Sequence, residues 1–275
     1  MSAPPPILRL AGLTKSFDGK RVLDRLDLSV AAGESLVILG KSGTGKSVLL
    51  KHVIGLLKPD AGTVEIDGED LWKAGRVRRD EIRRRFGMSF QEGALFDSMS
   101  VGENIAFPLV RHTKMTPGKV RERVAECLDL VRLPGLEAKR PSELSGGMRR
   151  RVGFARAIAL SPSILLFDEP TTGLDPITTD VIVGVISALA RRLNPTTITI
   201  THDLKSAFAI ADRVALLSEG RIRVALPPME FEASKDPYVA AFVRGDSRLE
   251  PAPEEDVTAG SSRPGPSGPT MGAFP

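Results

Sequence analysis

The sequence predicts an α/β fold: a mixed or parallel sheet, a small antiparallel β subdomain beside it, and an inserted α-helical subdomain. Three observations carry this. Short β-rich apolar runs alternate with helix-like segments across about residues 7–243, three of those runs are apolar or β-branched throughout, and residues 92–160 are mostly helical in pattern.

In chain order, Ile7 to Val30 and Thr63 to Asp67, the latter followed by Gly68, read as antiparallel strands with turns. Ser35 to Leu39 (SLVIL) and Ile164 to Phe167 (ILLF) are continuously apolar, as strands covered on both faces are, and Thr196 to Thr201 (TTITIT) is β-branched at every position. Between them, Thr116 followed by Pro117 opens a helix, and Val120, Val124, Cys127, Leu128 and Val131 recur at helical spacing. Residues 7–243 therefore read as one domain, with its helical subdomain at about 92–160. Residues 246–275 hold six Pro, four Gly and four Ser without a periodic apolar face, which predicts a tail that is disordered alone or docked on a partner.

With 275 residues and 41% hydrophobic content, a packed core is expected. The net charge of +4 is too mild to argue for a nucleic-acid binder. It is unevenly spread: Arg248 and Arg263 against Asp246, Glu250, Glu254, Glu255 and Asp256 leave the tail at −3 and the rest at +7. The single cysteine, Cys127, cannot form an internal disulfide, which fits a reducing compartment. The N-terminus, Met1-Ser-Ala-Pro-Pro-Pro, does not look like a signal peptide. The longest apolar stretches, such as Val181 to Ala190, are about half of what a membrane-spanning helix needs, so any membrane role is expected to run through a partner.

Gly40-Lys-Ser42-Gly43-Thr-Gly45-Lys46-Ser47 matches GxxxxGK[ST] between an apolar strand and a helical run. Glycines let backbone N–H groups wrap a polyphosphate, and a helix N-terminus attracts the anion. Lys46 is then expected on the β and γ phosphates and Ser47 on Mg²⁺, making ATP or GTP with Mg²⁺ the implied ligand. A second strand ends in two acids, Asp168 and Glu169: the first is placed to hold the metal, the second to orient and deprotonate an attacking water. Leu144-Ser145-Gly146-Gly147-Met148 opens another helix, whose serine and glycine N–H groups form a second anion-binding terminus.

The order of phosphate loop, Phe90-Gln91, LSGG, ILLFDEP, Gly173-Leu174-Asp175 and Thr201-His202-Asp203 resembles the nucleotide-binding domain of ATP-binding-cassette (ABC) ATPases, over about residues 7–243. The resemblance implies a P-loop NTPase core and a head-to-tail dimer in which each ATP lies between one subunit's phosphate loop and the other's LSGG segment. By position it implies that Phe17 stacks on adenine, Gln91 senses Mg²⁺ and the water, and His202 contacts the γ phosphate. It likewise implies that Ser145 and Gly147, with Gly146 between them, hold the γ phosphate in trans, and that Asp175 bridges the subunits. Where the family usually has Gln, this chain has Met148, followed by Arg149, Arg150 and Arg151. These arginines, and Arg76, Arg78, Arg79, Arg83, Arg84 and Arg85, are expected on solvated helix faces, with phosphate or lipid head groups as the alternative. Without aromatic interleaving they make a poor nucleic-acid platform.

The run Gln91 to Leu109, LSGGMRRRV and Asp168 to Thr178 are similar to the ATPases of MCE-type bacterial lipid transporters, the Mla phospholipid systems among them. This implies a peripheral ATPase at the cytoplasmic face of the bacterial inner membrane, under an integral membrane permease, with an MCE-type substrate-binding protein beyond the membrane. Ala94, Leu95, Phe96, Met99, Val101 and Ile105 are expected to divide between a groove for the permease and core. An importer for amino acids or another small solute is the alternative. A soluble ABC ATPase of ribosomes or DNA is remote, since the chain has one phosphate loop, no long heptad run and one cysteine.

Overall fold

The computed structural model describes residues 6–91 and 93–246. The chain begins with β1 (Leu8–Phe17), β2 (Lys20–Val30), β3 (Ser35–Leu39), α1 (Lys46–Val53), β4 (Ala61–Ile66) and β5 (Glu69–Asp70). It continues with α2 (Arg76–Arg83), β6 (Phe86–Ser89), α3 (Val101–His112), α4 (Pro117–Leu130), α5 (Gly146–Ile158) and β7 (Ile164–Asp168). It closes with α6 (Pro176–Leu193), β8 (Thr196–Thr201), α7 (Leu204–Ile210), β9 (Arg213–Ser218), β10 (Arg221–Leu226), α8 (Pro228–Glu232) and α9 (Pro237–Val243). The tail expected to be disordered or docked lies, apart from Asp246, outside the described residues.

Two sheets result. The larger has the order β10-β9-β3-β8-β7-β6, with parallel pairing from β9 to β6 and β10 antiparallel at its edge. The smaller, β2-β1-β4-β5, is antiparallel. Successive strand residues face opposite ways, so a strand covered on both sides must be apolar throughout. On β7, Ile164 and Leu166 join the cluster formed with α1 and the antiparallel sheet, while Leu165 and Phe167 join the one formed with α3 to α6. There Phe167 meets Phe154 of α5 edge to face, with ring centroids 5.0 Å apart. Burial of the Cys127 thiol in this second cluster pushes its pKa up to about 11, which leaves it protonated and inert.

Helix starts follow the capping residues. Ser100 and Glu103 form a reciprocal capping box on α3, Thr116 caps α4 ahead of Pro117, Ser145 caps α5 and Asp175 caps α6. The expected partner groove is partly core: Val101 and Ile105 are fully buried, whereas Ala94 and Phe96 are exposed.

The expectation that the arginine runs are solvated faces needs correction. Consecutive helical residues rotate by about 100°, so three in a row cannot share one side. Arg149 is exposed, Arg151 is half-buried and donates to the Val131 and Arg132 carbonyls at 3.3 and 3.1 Å, and Arg150 is buried. Around α2, Arg76, Arg78 and Arg84 are exposed, but Arg79 lies over the Trp72 ring, Arg83 donates to the Gly55 carbonyl and Arg85 pairs with Asp67 at 2.6 Å.

Asn104, fully buried on α3, organises the segment that leads into that helix. Its Oδ1 accepts from the Phe96 N–H at 2.8 Å, and its Nδ2 donates to the carbonyls of Phe96, Met99 and Ser100 at 3.1, 3.3 and 2.9 Å. Replacement by alanine strands these backbone groups, and Asn104→Ala is expected to cost about 2–4 kcal/mol of folding stability in urea unfolding. A change below about 0.5 kcal/mol would show that the segment is held by other contacts.

Candidate functional site

The loop leaving β3 is shaped by its glycines. Gly43 and Gly45 sit at φ +79° and +98°, in the left-handed region that side chains resist. At Gly40, an added Cβ would lie 2.7 Å from the Leu217 carbonyl oxygen and 2.8 Å from Thr44 Oγ1. Gly45 is also the N-cap of α1 and brings no side-chain cap, so the first-turn N–H groups remain available to an anion. Lys46 closes the loop on itself: its Nζ donates to the Gly40 and Lys41 carbonyls at 2.7 and 3.0 Å, and the residue is only 8% exposed. Burial lowers its pKa, an effect opposed by the charges of Glu169 and Asp168.

The loop opens onto a cavity of about 640 Å³ whose walls include Lys46, Ser47, Gln91, Glu169, Thr172 and His202. Ser42, Gly43 and Gly45 line it as well, with Val22 of β2. Asp168 ends β7, where burial and the neighbouring Glu169 charge raise its pKa, and Lys46 and Lys51 oppose the rise. Glu169 takes φ +47°, an uncommon left-handed conformation for a non-glycine residue, and its N–H donates to the Ile200 carbonyl at 2.8 Å. The carboxylate is held at several points. Oε2 accepts from Thr172 Oγ1 at 2.8 Å and lies 2.9 Å from His202 Nδ1, while Oε1 is 3.8 Å from Lys46 Nζ.

A cation, a hydroxyl and a carboxylate thus meet beside an uncapped helix terminus, which suits a polyphosphate with a bound divalent ion. Among the described residues no cluster of three or more His, Cys, Asp or Glu side chains could hold a metal ion by itself. Of the two oxygens expected on Mg²⁺, the Ser47 hydroxyl lines the cavity, and Asp168, at the end of β7 beside Glu169, lies outside its lining; both are hard donors of the kind Mg²⁺ takes together with waters and substrate phosphates.

Some predicted residues lie outside the lining of this cavity. Phe17, at the end of β1, is 42% exposed, with Lys15 Nζ 5.5 Å from its ring centroid. Ser145, Gly146 and Gly147 line none of it; Gly146 borders a separate cavity with Arg149, Gly173 and Leu174. The Ser145 hydroxyl accepts from the Met148 N–H at 3.3 Å, and Met148 itself is half-buried against the helical core. Asp175 accepts from the Thr178 hydroxyl at 2.6 Å and from its N–H at 3.0 Å; these bonds lower its pKa. Thr172 and Val22 are additions that sequence reasoning missed. Thr172 follows Glu169 by three residues in a turn, a spacing that suits a hydroxyl-to-carboxylate contact.

The ABC transporter family profile matches residues 23–172. A Mycobacterium leprae protein named probable ribonucleotide transport ATP-binding protein mkl is 42% identical over 86% of this chain and 69% of its own length. The chain spans about two thirds of the length of the mycobacterial relatives it matches. The Haemophilus influenzae intermembrane phospholipid transport system ATP-binding protein MlaF is 39% identical over 88% of this chain and 91% of its own length. Among solved structures, the dimeric post-hydrolysis state of the ATP-binding cassette MJ0796 bound to ADP and Pi matches with a TM-score of 0.73 at 31% identity, over 80% of this chain and 98% of that one.

Gly45 offers a direct test of the loop geometry. An alanine Cβ there would sit 3.0 Å from Val22 Cγ1 and 3.1 Å from the Val22 carbonyl oxygen, on a backbone at φ +98°. With about 1–2 kcal/mol of strain, Gly45→Ala is expected to weaken binding of a fluorescent ATP analogue by about tenfold. Unchanged affinity would remove the loop from the binding site.

Proposed function

The chain belongs to the ABC transporter family and is an ATPase, and from that premise we propose that it powers a membrane phospholipid transporter by closing as a head-to-tail dimer around ATP. The observation that carries the dimer is the separation of two half-sites. Lys46, Ser47, Glu169 and His202 share one cavity, and the LSGG helix terminus at Ser145 to Gly147 lies outside its lining. A second copy supplies the missing half, which is the arrangement of a head-to-tail pair.

In this reading the 40–45 backbone and Lys46 bind the β and γ phosphates, and Phe17 covers the adenine. Asp168, Ser47 and Gln91 would hold Mg²⁺, which when bound would supply positive charge against the phosphate oxygens. Glu169 takes the proton of the attacking water, kept in place by Thr172 and His202, and His202 also meets the γ phosphate. Ser145, Gly146 and Gly147 of the second copy close over the same phosphate, and Asp175 bridges the two chains.

No helix among the described residues is long and apolar enough to cross a membrane. In this reading force is passed to an integral permease. A cavity of about 350 Å³ lined by Phe90, Phe96, Phe107, Pro108 and Arg156, directly after β6, is the surface we assign to it. In this reading the chain works at the cytoplasmic face of a bacterial inner membrane, with an MCE-type substrate-binding protein beyond it. The Haemophilus relative, similar over nearly the full length of both chains, supports phospholipid as the cargo. The ribonucleotide name of the mycobacterial relatives favours a second reading, an importer for another solute.

Glu169→Gln is expected to keep ATP binding and slow steady-state hydrolysis by about 10²–10⁴-fold, while Lys46→Ala weakens binding itself. Near-normal turnover in Glu169→Gln refutes the assigned base. For the cargo, tagged Glu169→Gln protein captured with ATP from detergent-solubilised native membranes is expected to bring a permease, an MCE protein and phospholipid in mass spectrometry. A permease with a different solute-binding protein moves the chain to the second reading, and ribosomal or DNA-bound partners without a permease overturn the transporter.

A further inference from the structure

A single buried side chain ties two loops of one nucleotide site to the helix whose N-terminus the dimer reading assigns to the other. Arg150 is the fifth residue of α5 and is 8% exposed. Its Nε donates to the Gln91 carbonyl at 2.7 Å, its Nη1 to the Pro170 carbonyl at 3.1 Å, and its Nη2 to the Thr172 carbonyl. Gln91 belongs to the loop after β6, whereas Pro170 and Thr172 belong to the segment that runs from Glu169 to Asp175.

The loop after β6 is strapped to α5 along more of its length. Arg156, six residues further along the helix, donates to the Gly93 and Ala94 carbonyls at 2.9 Å each. Side chains are absent where the two backbones touch: a Cβ on Gly153 would lie 2.9 Å from Gly93 Cα, and one on Gly93 would lie 2.8 Å from the Arg149 carbonyl oxygen. Loop and helix therefore move together, and the Arg150 fork carries that movement to the segment whose Thr172 hydroxyl holds the Glu169 carboxylate.

A guanidinium suits this task because its donors leave in fixed directions within one plane, so three acceptors on two loops are held at a set mutual geometry. An ammonium is a point charge on a flexible stem and cannot fix all three. The N-terminus of the same helix is Ser145, and the 170–175 segment ends in Asp175.

We propose that Arg150 is a positioning residue that couples the two composite nucleotide sites of the dimer, by linking Gln91 and Glu169 of one site to the Ser145 terminus and Asp175 that serve the other. The coupling rests on the dimer reading above. When ATP orders Gln91 and Glu169 in one site, the guanidinium passes that order through α5 to the groups the same chain presents across the interface.

The test compares Arg150→Gln and Arg150→Lys with the unsubstituted protein in two ways. Hydrogen exchange without nucleotide is expected to show faster exchange in both 91–94 and 170–175 in either variant, with β3 and β8 unchanged. Steady-state kinetics are expected to show kcat reduced by about tenfold or more, KM for ATP within about threefold, and a Hill coefficient falling from above one toward one. The lysine variant is expected to recover little of the loss. If Arg150→Gln fails to fold, Arg150→Lys is judged by the same criteria. Faster exchange in only one segment or in neither, or a kcat and Hill coefficient like those of the unsubstituted protein, overturns the proposal. An unsubstituted protein that binds ATP without assembling overturns the dimer reading instead, and the exchange data then decide the link between the loops alone.

Discussion

Leu39 pairs with Thr201, Asp168 with Ile200, and Ser89 with Phe167, so the parallel strands β3, β8, β7 and β6 end nearly level along one edge of the sheet. Each strand delivers a different group just past that edge: the 40–45 loop, His202, Glu169 and Gln91. Antiparallel neighbours would send half of these groups to the opposite end. Parallel register is thus what allows segments far apart in the chain to share one cavity, the general behaviour of open α/β sheets. The apolar cost of that register is visible in β3 and β7, buried on both faces.

Across the molecule several arginine donors meet backbone carbonyls of neighbouring segments. Arg83, Arg123, Arg150, Arg151 and Arg156 all end on carbonyl oxygens of neighbouring segments. Such contacts fix irregular loops that have no ladder hydrogen bonds of their own. The surface ion pairs, such as Arg78 with Glu69 and Lys205 with Asp180, are exposed and contribute little by comparison.

What the sequence disclosed followed from locality. Strands covered on both faces read as unbroken apolar or β-branched runs, and β3 and β8 have the boundaries expected of them. The phosphate loop was legible because its glycines, lysine and serine are contiguous. Arg150, Asn104 and Thr172 were not. Arg150 bonds Gln91 across 59 residues and Pro170 across 20, and its partners are carbonyls, which every residue possesses. Nothing in a run of three arginines says which one turns inward until the neighbours of the helix are known. Asn104 bonds residues four to eight positions back in a segment without periodicity, so its side chain had no local pattern to reveal it.

In the dimer we propose, one chain holds two incomplete halves of a nucleotide site, and ATP joins them between two chains. Sedimentation of Glu169→Gln protein, with and without ATP and Mg²⁺, tests this most directly. A species of 29.5 kDa is expected without nucleotide and one of twice that mass with it. A protein that binds ATP fully and still sediments as a single chain would contradict it.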